Sequence, residues 1–203
     1  MIRTFSFSAA GGHPVNEDAF VLRPLPNGAG WIVALADGQG GRAGGALAAQ
    51  LACWVVATRA DAGAECLAEA DATIAADPAA GLTTLVALCV EGDHVAGASC
   101  GDSAALVAWG DGFIRILTAH QFKNPPVGSG EAIFVPFEVQ LTHPWRLLVM
   151  SDGVWKYAGW DRISNMAARL SGEELLSELQ AAARLTTSGE FPDDFTVVLL
   201  ESD

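Results

Sequence analysis

The stretch Trp31-Ile32-Val33-Ala34-Leu35-Ala36-Asp37-Gly38-Gln39-Gly40-Gly41 runs from an unbroken apolar segment into an aspartate and then into a glycine-rich loop. A short continuous apolar run of this kind suits a buried strand. Gly44 and Gly45 prolong the loop, and from Ala43 to Arg59 the pattern changes to Leu47, Leu51 and Val55 among alanines, one face of a helix of good formers. An Asp-Gly pair is first a turn signal. Here, however, the buried run leads into a helix and not into a returning strand, so Asp37 is more than a hairpin residue.

Working outward, Phe5 and Phe7 alternate as in a strand, and Ala19 to Leu22 forms a second. A second helix is expected over Ala64 to Ala76, stopped by Asp77-Pro78. Four strand-like runs follow: Leu82 to Val90, His94 to Cys100, Ala104 to Trp109 and Phe113 to Thr118. Their connections, Glu91-Gly92-Asp93, Gly101-Asp102-Ser103 and Gly110-Asp111-Gly112, are turn-formers that favour an antiparallel meander. After a Pro/Gly-rich loop at Lys123 to Gly130 come strands around Ile133 to Leu141, with Pro136 marking an edge, and Arg146 to Met150. Helices are expected over Asp161 to Leu170 and Glu173 to Leu185, before a last strand at Phe195 to Leu200. Helices grouped in two blocks between antiparallel strands make an α+β fold, best satisfied by two sheets packed face to face with helices outside. The 203 residues suffice for one domain with a sizeable core.

The aspartates sort by context. Asp111-Gly112 and Gly92-Asp93 each join two strand runs and read as plain turns. Asp37-Gly38, Asp152-Gly153, Asp193-Asp194 and Asn16-Glu17-Asp18 instead stand at the ends of strands, where a sheet can bring them together. Clustered carboxylates repel unless they share protons or bind cations. There is no His-Glu-x-x-His pattern, no Cys/His pairing and no calcium-loop pattern, whereas all-oxygen donors suit hard ions. A Mg²⁺ or Mn²⁺ pair remains.

Gly38-Gln39-Gly40-Gly41-Arg42-Ala43 also fits the dinucleotide-binding pattern G-x-G-x-x-[GA]. Against it, Asp37 would face a pyrophosphate, and no βαβ unit with a ribose-binding acid follows. A formal charge of −13, from 11 basic and 24 acidic residues, argues against nucleic acid and anionic membrane as partners. No apolar run reaches the roughly 18 residues of a membrane span, and Met1 to Gly12 lacks the marks of a signal peptide, so a cytoplasmic protein is expected. Cys53, Cys66, Cys89 and Cys100 lie in separate apolar segments and read as reduced core thiols.

Taken in order, the motifs resemble those of the type 2C, metal-dependent protein serine/threonine phosphatases. Asn16-Glu17-Asp18-Ala19, Ala36-Asp37-Gly38-Gln39-Gly40-Gly41, Gly81-Leu82-Thr83-Thr84, Gly101-Asp102-Ser103, Ser151-Asp152-Gly153-Val154-Trp155 and Asp193-Asp194-Phe195-Thr196-Val197 match across nearly the whole chain. The resemblance implies a four-layer α/β/β/α sandwich with metals at one end of the sheets, acting on phosphoserine or phosphothreonine in a phosphoprotein substrate. It implies that Asp37 bridges two ions, that Asp152 and Asp193 complete the first, and that the Gly38 carbonyl completes the second. Glu17 and Asp18 act through water, and Asp102 with Asp152 helps hold a third, weaker ion. Two divalent ions lower the pKa of a water between them and hold the phosphoryl oxygens for in-line attack, so no protein nucleophile is needed. Asp37, Asp152 and Asp193 are thus the expected catalytic residues.

Three departures stand out. His13 occupies the place of the arginine that grips phosphate in the family, making it the expected substrate-binding residue. Gln39 replaces a histidine that some members carry, and Thr118 to Ser151 is short, which reduces the flap beside the site to Lys123 to Gly130. The competing reading is a phosphatase-like binding module that keeps the fold and has lost turnover.

Overall fold

The computed structural model describes residues 1–26, 28–41, 43–59 and 61–203. Arg42, part of the glycine-rich stretch weighed above, lies outside the described residues. In chain order the elements are β1 (Arg3–Ala9), β2 (Asp18–Pro24), β3 (Gly30–Asp37), α1 (Gly45–Thr58), α2 (Ala64–Ala75), β4 (Leu85–Glu91), β5 (His94–Cys100), β6 (Ala104–Trp109) and β7 (Ile114–Ile116). They continue with β8 (Val135–Gln140), β9 (Trp145–Met150), α3 (Asp152–Ala158), α4 (Trp160–Arg169), α5 (Gly172–Ala183) and β10 (Phe195–Ser202). The strands form two five-stranded sheets, ordered β1-β10-β9-β6-β7 and β2-β3-β4-β5-β8, with antiparallel pairing throughout.

The reason the central strands are apolar without alternation is that both of their faces are covered. In β3, Val33 and Leu35 point into the core between the sheets, while Ile32, Ala34 and Ala36 point into a second core under α1 and α2. In β10, Val198 and Leu200 join the inter-sheet core, and Phe195, Val197 and Leu199 pack under α3, α4 and α5. Three apolar layers therefore alternate with four layers of secondary structure, the α/β/β/α sandwich that the motifs imply. Burial on this scale, at roughly 25 cal/mol per Å² of apolar surface removed from water, dominates the stabilisation of such a fold. All four cysteines are free; Cys53, Cys66 and Cys100 are buried and Cys89 is partly so. Burial pushes the Cys53 thiol up to about 12, which makes it a core side chain and not a nucleophile.

Two expectations need correcting. Gly101-Asp102-Ser103 is not a hairpin turn, because β5 and β6 belong to different sheets and the segment carries the chain across from one to the other. Gly101 permits this with φ +118°, where an added Cβ would stand 2.5 Å from Thr84 Cβ. Of the run expected as a strand from Leu82, regular β4 begins at Leu85, but pairing with the β3 end reaches back to Leu82: Thr84 N–H donates to Asp37 O at 2.9 Å, Gly38 bridges Thr83, and Gln39 N–H donates to Leu82 O at 2.8 Å, while Thr83 N–H turns away to Val127 O at 2.9 Å. The hairpins at Gly92-Asp93 and Asp111-Gly112 form as expected, and Pro136 lies on the edge strand β8. With every strand pair antiparallel, no parallel βαβ unit exists among the described residues, so the dinucleotide reading of the glycine loop has no fold to sit in.

Candidate metal and phosphate site

Antiparallel pairing brings the chemistry to one end of the sandwich. Asp37 ends β3 and Asp18 begins β2, and the two are direct cross-strand partners. Asp152 follows β9, Asp193 and Asp194 precede β10, and Asp102 lies on the crossover from β5 to β6. Together with His13, Glu17, Gly38, Thr83, Thr84 and Lys123, the residues Asp37, Asp102, Asp152, Asp193 and Asp194 line a cavity of about 280 Å³. Asp18 is expected at the site but does not line the cavity; its carboxylate oxygens are buried behind it.

The backbone of Asp37 is clamped. Its N–H donates to Thr84 Oγ1 at 3.0 Å, and its carbonyl accepts from Thr83 Oγ1 at 2.8 Å as well as from the Thr84 N–H. Thr84 Oγ1 in turn shares a 2.7 Å hydrogen bond with Ser103 Oγ, tying Asp37 to the segment that carries Asp102. Gly38 must be glycine, because a Cβ there would meet Gly45 C at 2.5 Å and Glu17 O at 2.8 Å. Gly153 is equally constrained, with Asp194 O only 1.9 Å from where its Cβ would stand, so the first turn of α3 is pressed onto the entry to β10.

Asp194 organises the loop that leads to Glu17. Its Oδ1 accepts the Gly11 N–H at 2.9 Å and its Oδ2 the Glu17 N–H at 2.6 Å, and Glu17 O accepts the Gly38 N–H at 3.2 Å. His13 stands on the rim of the cavity with Nε2 3.8 Å from Asp194 Oδ2.

The electrostatics are those of crowded like charges. Burial first, and then the charges of Asp18, Asp152, Asp102 and Asp193, push the Asp37 carboxyl up to about 9. Burial likewise raises Asp18 to about 7. The Thr196 and Ser151 hydroxyls lie toward it and offset part of that rise, but both have other partners: Thr196 Oγ1 shares a hydrogen bond with Ser8 Oγ, and Ser151 Oγ donates to the Asp194 carbonyl at 3.3 Å. Both Asp18 oxygens are consequently buried without a hydrogen-bond partner. Burial also raises Asp152, against the opposing bond from Lys156.

Orphaned buried carboxylate oxygens and an aspartate held protonated near neutral pH are what a hard cation would relieve. The donor set therefore fits Mg²⁺ or Mn²⁺ by type and charge. As the side chains stand, no three His, Cys, Asp or Glu among the described residues converge closely enough to enclose an ion.

Two residues, Asp71 and Lys156, went unread in the sequence. Asp71 of α2 is buried, and its carboxylate accepts the N–H groups of Gly128 at 2.6 Å, Gly130 at 3.2 Å and Ala132 at 3.2 Å. It anchors the Pro/Gly-rich loop whose Lys123, Asn124 and Pro126 form one wall of the cavity. An available signal was its place on the buried face of the helix beside Leu67, Ala70 and Ile74, where an acid requires a partner.

Solved structures share this architecture. The serine/threonine phosphatase Stp1 from Staphylococcus aureus superposes with a TM-score of 0.83 at 20% identity, covering 100% of this chain and 96% of that one. The Mycobacterium tuberculosis serine/threonine phosphatase PstP/Ppp gives 0.82 at 22% identity, covering 100% and 99%. RsbX in complex with magnesium gives 0.80 at 16% identity, covering 98% and 94%. The fold is thus that of the type 2C-like phosphatases, as the order of the motifs implies. Within that class, the family model described as Stage II sporulation protein E (SpoIIE) matches residues 27–203, and the chain belongs to this family. No curated protein matches the chain.

The crowding of Asp37 has a measurable sign. An aspartate whose carboxyl rises from 3.8 unfolded to about 9 folded binds more protons in the folded state, so stability present below pH 3.8 is lost as pH rises toward about 9. Metal-free Asp37→Asn should therefore match the unsubstituted protein in melting temperature near pH 4 and exceed it increasingly toward pH 9. Thermal melts in EDTA across that range test this, and a stability difference independent of pH would contradict it.

Proposed function

We propose that the protein is a divalent-metal-dependent phosphatase acting on phosphoserine or phosphothreonine in protein substrates. The observation that carries this reading is Asp37, half-buried in the lining of a cavity beside Asp18, Asp102, Asp152 and Asp193 and driven up to about 9 by desolvation and by their charge. A site kept only as scaffold has no physical need for such a cluster. Family membership and the shared fold support the same reading, and the magnesium named with RsbX supports the choice of ion.

In this reading Asp37, Asp152, Asp193 and the Gly38 carbonyl hold the ions, while Glu17 and Asp18 act at one remove. When bound, a pair of Mg²⁺ or Mn²⁺ ions lowers the pKa of water and offsets the charge of the phosphoryl oxygens. The chain's own part is positional. Thr83 and Thr84 fix Asp37, and Asp194 fixes the backbone at Gly11 and Glu17 and, with it, the loop bearing His13. The Asp71-anchored loop walls the cavity and brings Lys123 to it. His13 meets the phosphate from the rim. The competing reading, a binding module without turnover, draws on the ammonium groups of Lys123 and Lys156, which already neutralise part of the acid cluster.

Hydrolysis of an aryl phosphate separates the two. Turnover should require Mn²⁺ or Mg²⁺ and stop in EDTA, and Asp37→Asn and Asp152→Asn should each lose more than ~100-fold, beyond the loss typical of a residue that only supports a ligand. Asp111→Asn should be nearly silent, since Asp111 serves its hairpin by accepting the Phe113 N–H at 2.9 Å. Undiminished turnover in EDTA, or equal losses at all three positions, would refute the assignment.

His13 is tested through KM. Arginine offers phosphate two parallel charged hydrogen bonds where histidine offers one. His13→Arg should lower KM and His13→Ala raise it, by an amount on the order of 1 to 2 kcal/mol in binding. Unchanged KM in both variants would make His13 a rim residue with no hold on substrate.

A further inference from the structure

One end of the acid cluster brings its own cations. Lys156 lies four residues after Asp152 on α3, one helical turn along, and its ammonium returns to Asp152 Oδ2 and stands 4.0 Å from Asp102 Oδ2. Lys123, from the loop wall, pairs with that same Asp102 oxygen. The neighbour of Lys156, Trp155, donates from Nε1 to the Asp102 carbonyl at 2.9 Å, so adjacent residues of α3 grip both the backbone and the carboxylate of Asp102. The acid side chains are only 19% (Asp102) and 12% (Asp152) exposed, which sets these pairs apart from fully solvated surface bridges. Burial lowers the Lys156 ammonium, but the bond to Asp152 and the charges of Asp152, Asp102 and Asp193 outweigh it.

The other end differs. Among the described residues, no lysine or arginine forms an ion pair with Asp18, Asp37 or Asp193. Two carboxylates face two ammonium groups at the Asp102–Asp152 end, and uncompensated acid remains at the Asp37 end. A divalent ion arriving between Asp102 and Asp152 would have to displace both ammonium groups or sit beside them against their charge.

We propose that Lys156, together with Lys123, is the resident cation between Asp102 and Asp152, taking the place of a third divalent ion there and leaving the other Asp152 oxygen, Oδ1, to the pair of ions held with Asp37 and Asp193. The inference rests on the divalent-metal reading above and replaces the third ion expected at Asp102 with side-chain charge. Lys156 is then a positioning residue, holding Asp152 and the crossover segment in place whether or not metal is bound.

The test is stoichiometry and not turnover. Equilibrium dialysis against Mn²⁺, with free Mn²⁺ read by electron paramagnetic resonance, should give two ions per chain for the unsubstituted protein. The double variant Lys123→Gln with Lys156→Gln should gain a third, weaker ion, while Lys156→Arg, which keeps the charge, should stay at two; circular dichroism checks that each is folded. Three ions in the unsubstituted protein, or two in the double variant, would overturn the proposal and leave the binuclear reading standing. No bound Mn²⁺ in any of the proteins would overturn both.

Discussion

Asp18 and Asp37 face each other across β2 and β3, like charges on directly opposed positions of an antiparallel pair, and the rest of the structure is arranged around that repulsion. Such a pair is destabilising by itself, and Asp102, Asp152 and Asp193 add to it. The fold tolerates the concentration because β3, β9 and β10 are covered by apolar cores on both faces, although β2, which carries Asp18, is a partly exposed edge strand. Asp37, Asp102, Asp152 and Asp193 sit at strand ends or on the crossover between sheets and line the cavity, with Asp18 behind them.

The second tier of interactions holds the acids where their charges would drive them apart. Hydroxyl groups do this for Asp37 through Thr83, Thr84 and Ser103, backbone N–H groups do it for Asp194, and the ammonium of Lys156 does it for Asp152. Three different donors serve one end, and each supplies partial or full positive charge without filling the cavity. The Asp37 end is left short of positive charge, and this imbalance is the physical content of a cation site.

Much of this was legible in the sequence because burial on two faces leaves an unmistakable mark. The unbroken runs in β3, β6, β9 and β10 are apolar for a reason that acts on every residue, so their places were readable to within a residue or two. The separation of Asp37 and Asp152 from Asp93 and Asp111 was also readable, since it depended on whether the Asp-Gly or Gly-Asp pair joined two strand runs, and Asp193 was placed by standing just before the last strand. What could not be read was partnership at a distance. Gly101-Asp102-Ser103 looks locally like a hairpin turn, and only the allocation of β5 and β6 to different sheets makes it a crossover. Asp71 and Lys156 likewise gain their meaning from residues 57 positions ahead in Gly128 and 54 positions behind in Asp102. No local pattern records those contacts.

The claim on which the account turns is that Asp37 carries a proton in the metal-free protein because of its neighbours, and gives it up when a divalent ion arrives. Isothermal titration of Mn²⁺ into the metal-free protein, repeated in buffers of different ionisation enthalpy, counts the protons released on binding. The account predicts net release near pH 7 that shrinks as the pH is raised past about 9, where Asp37 is already ionised. Mn²⁺ binding with no proton release near pH 7 would contradict it.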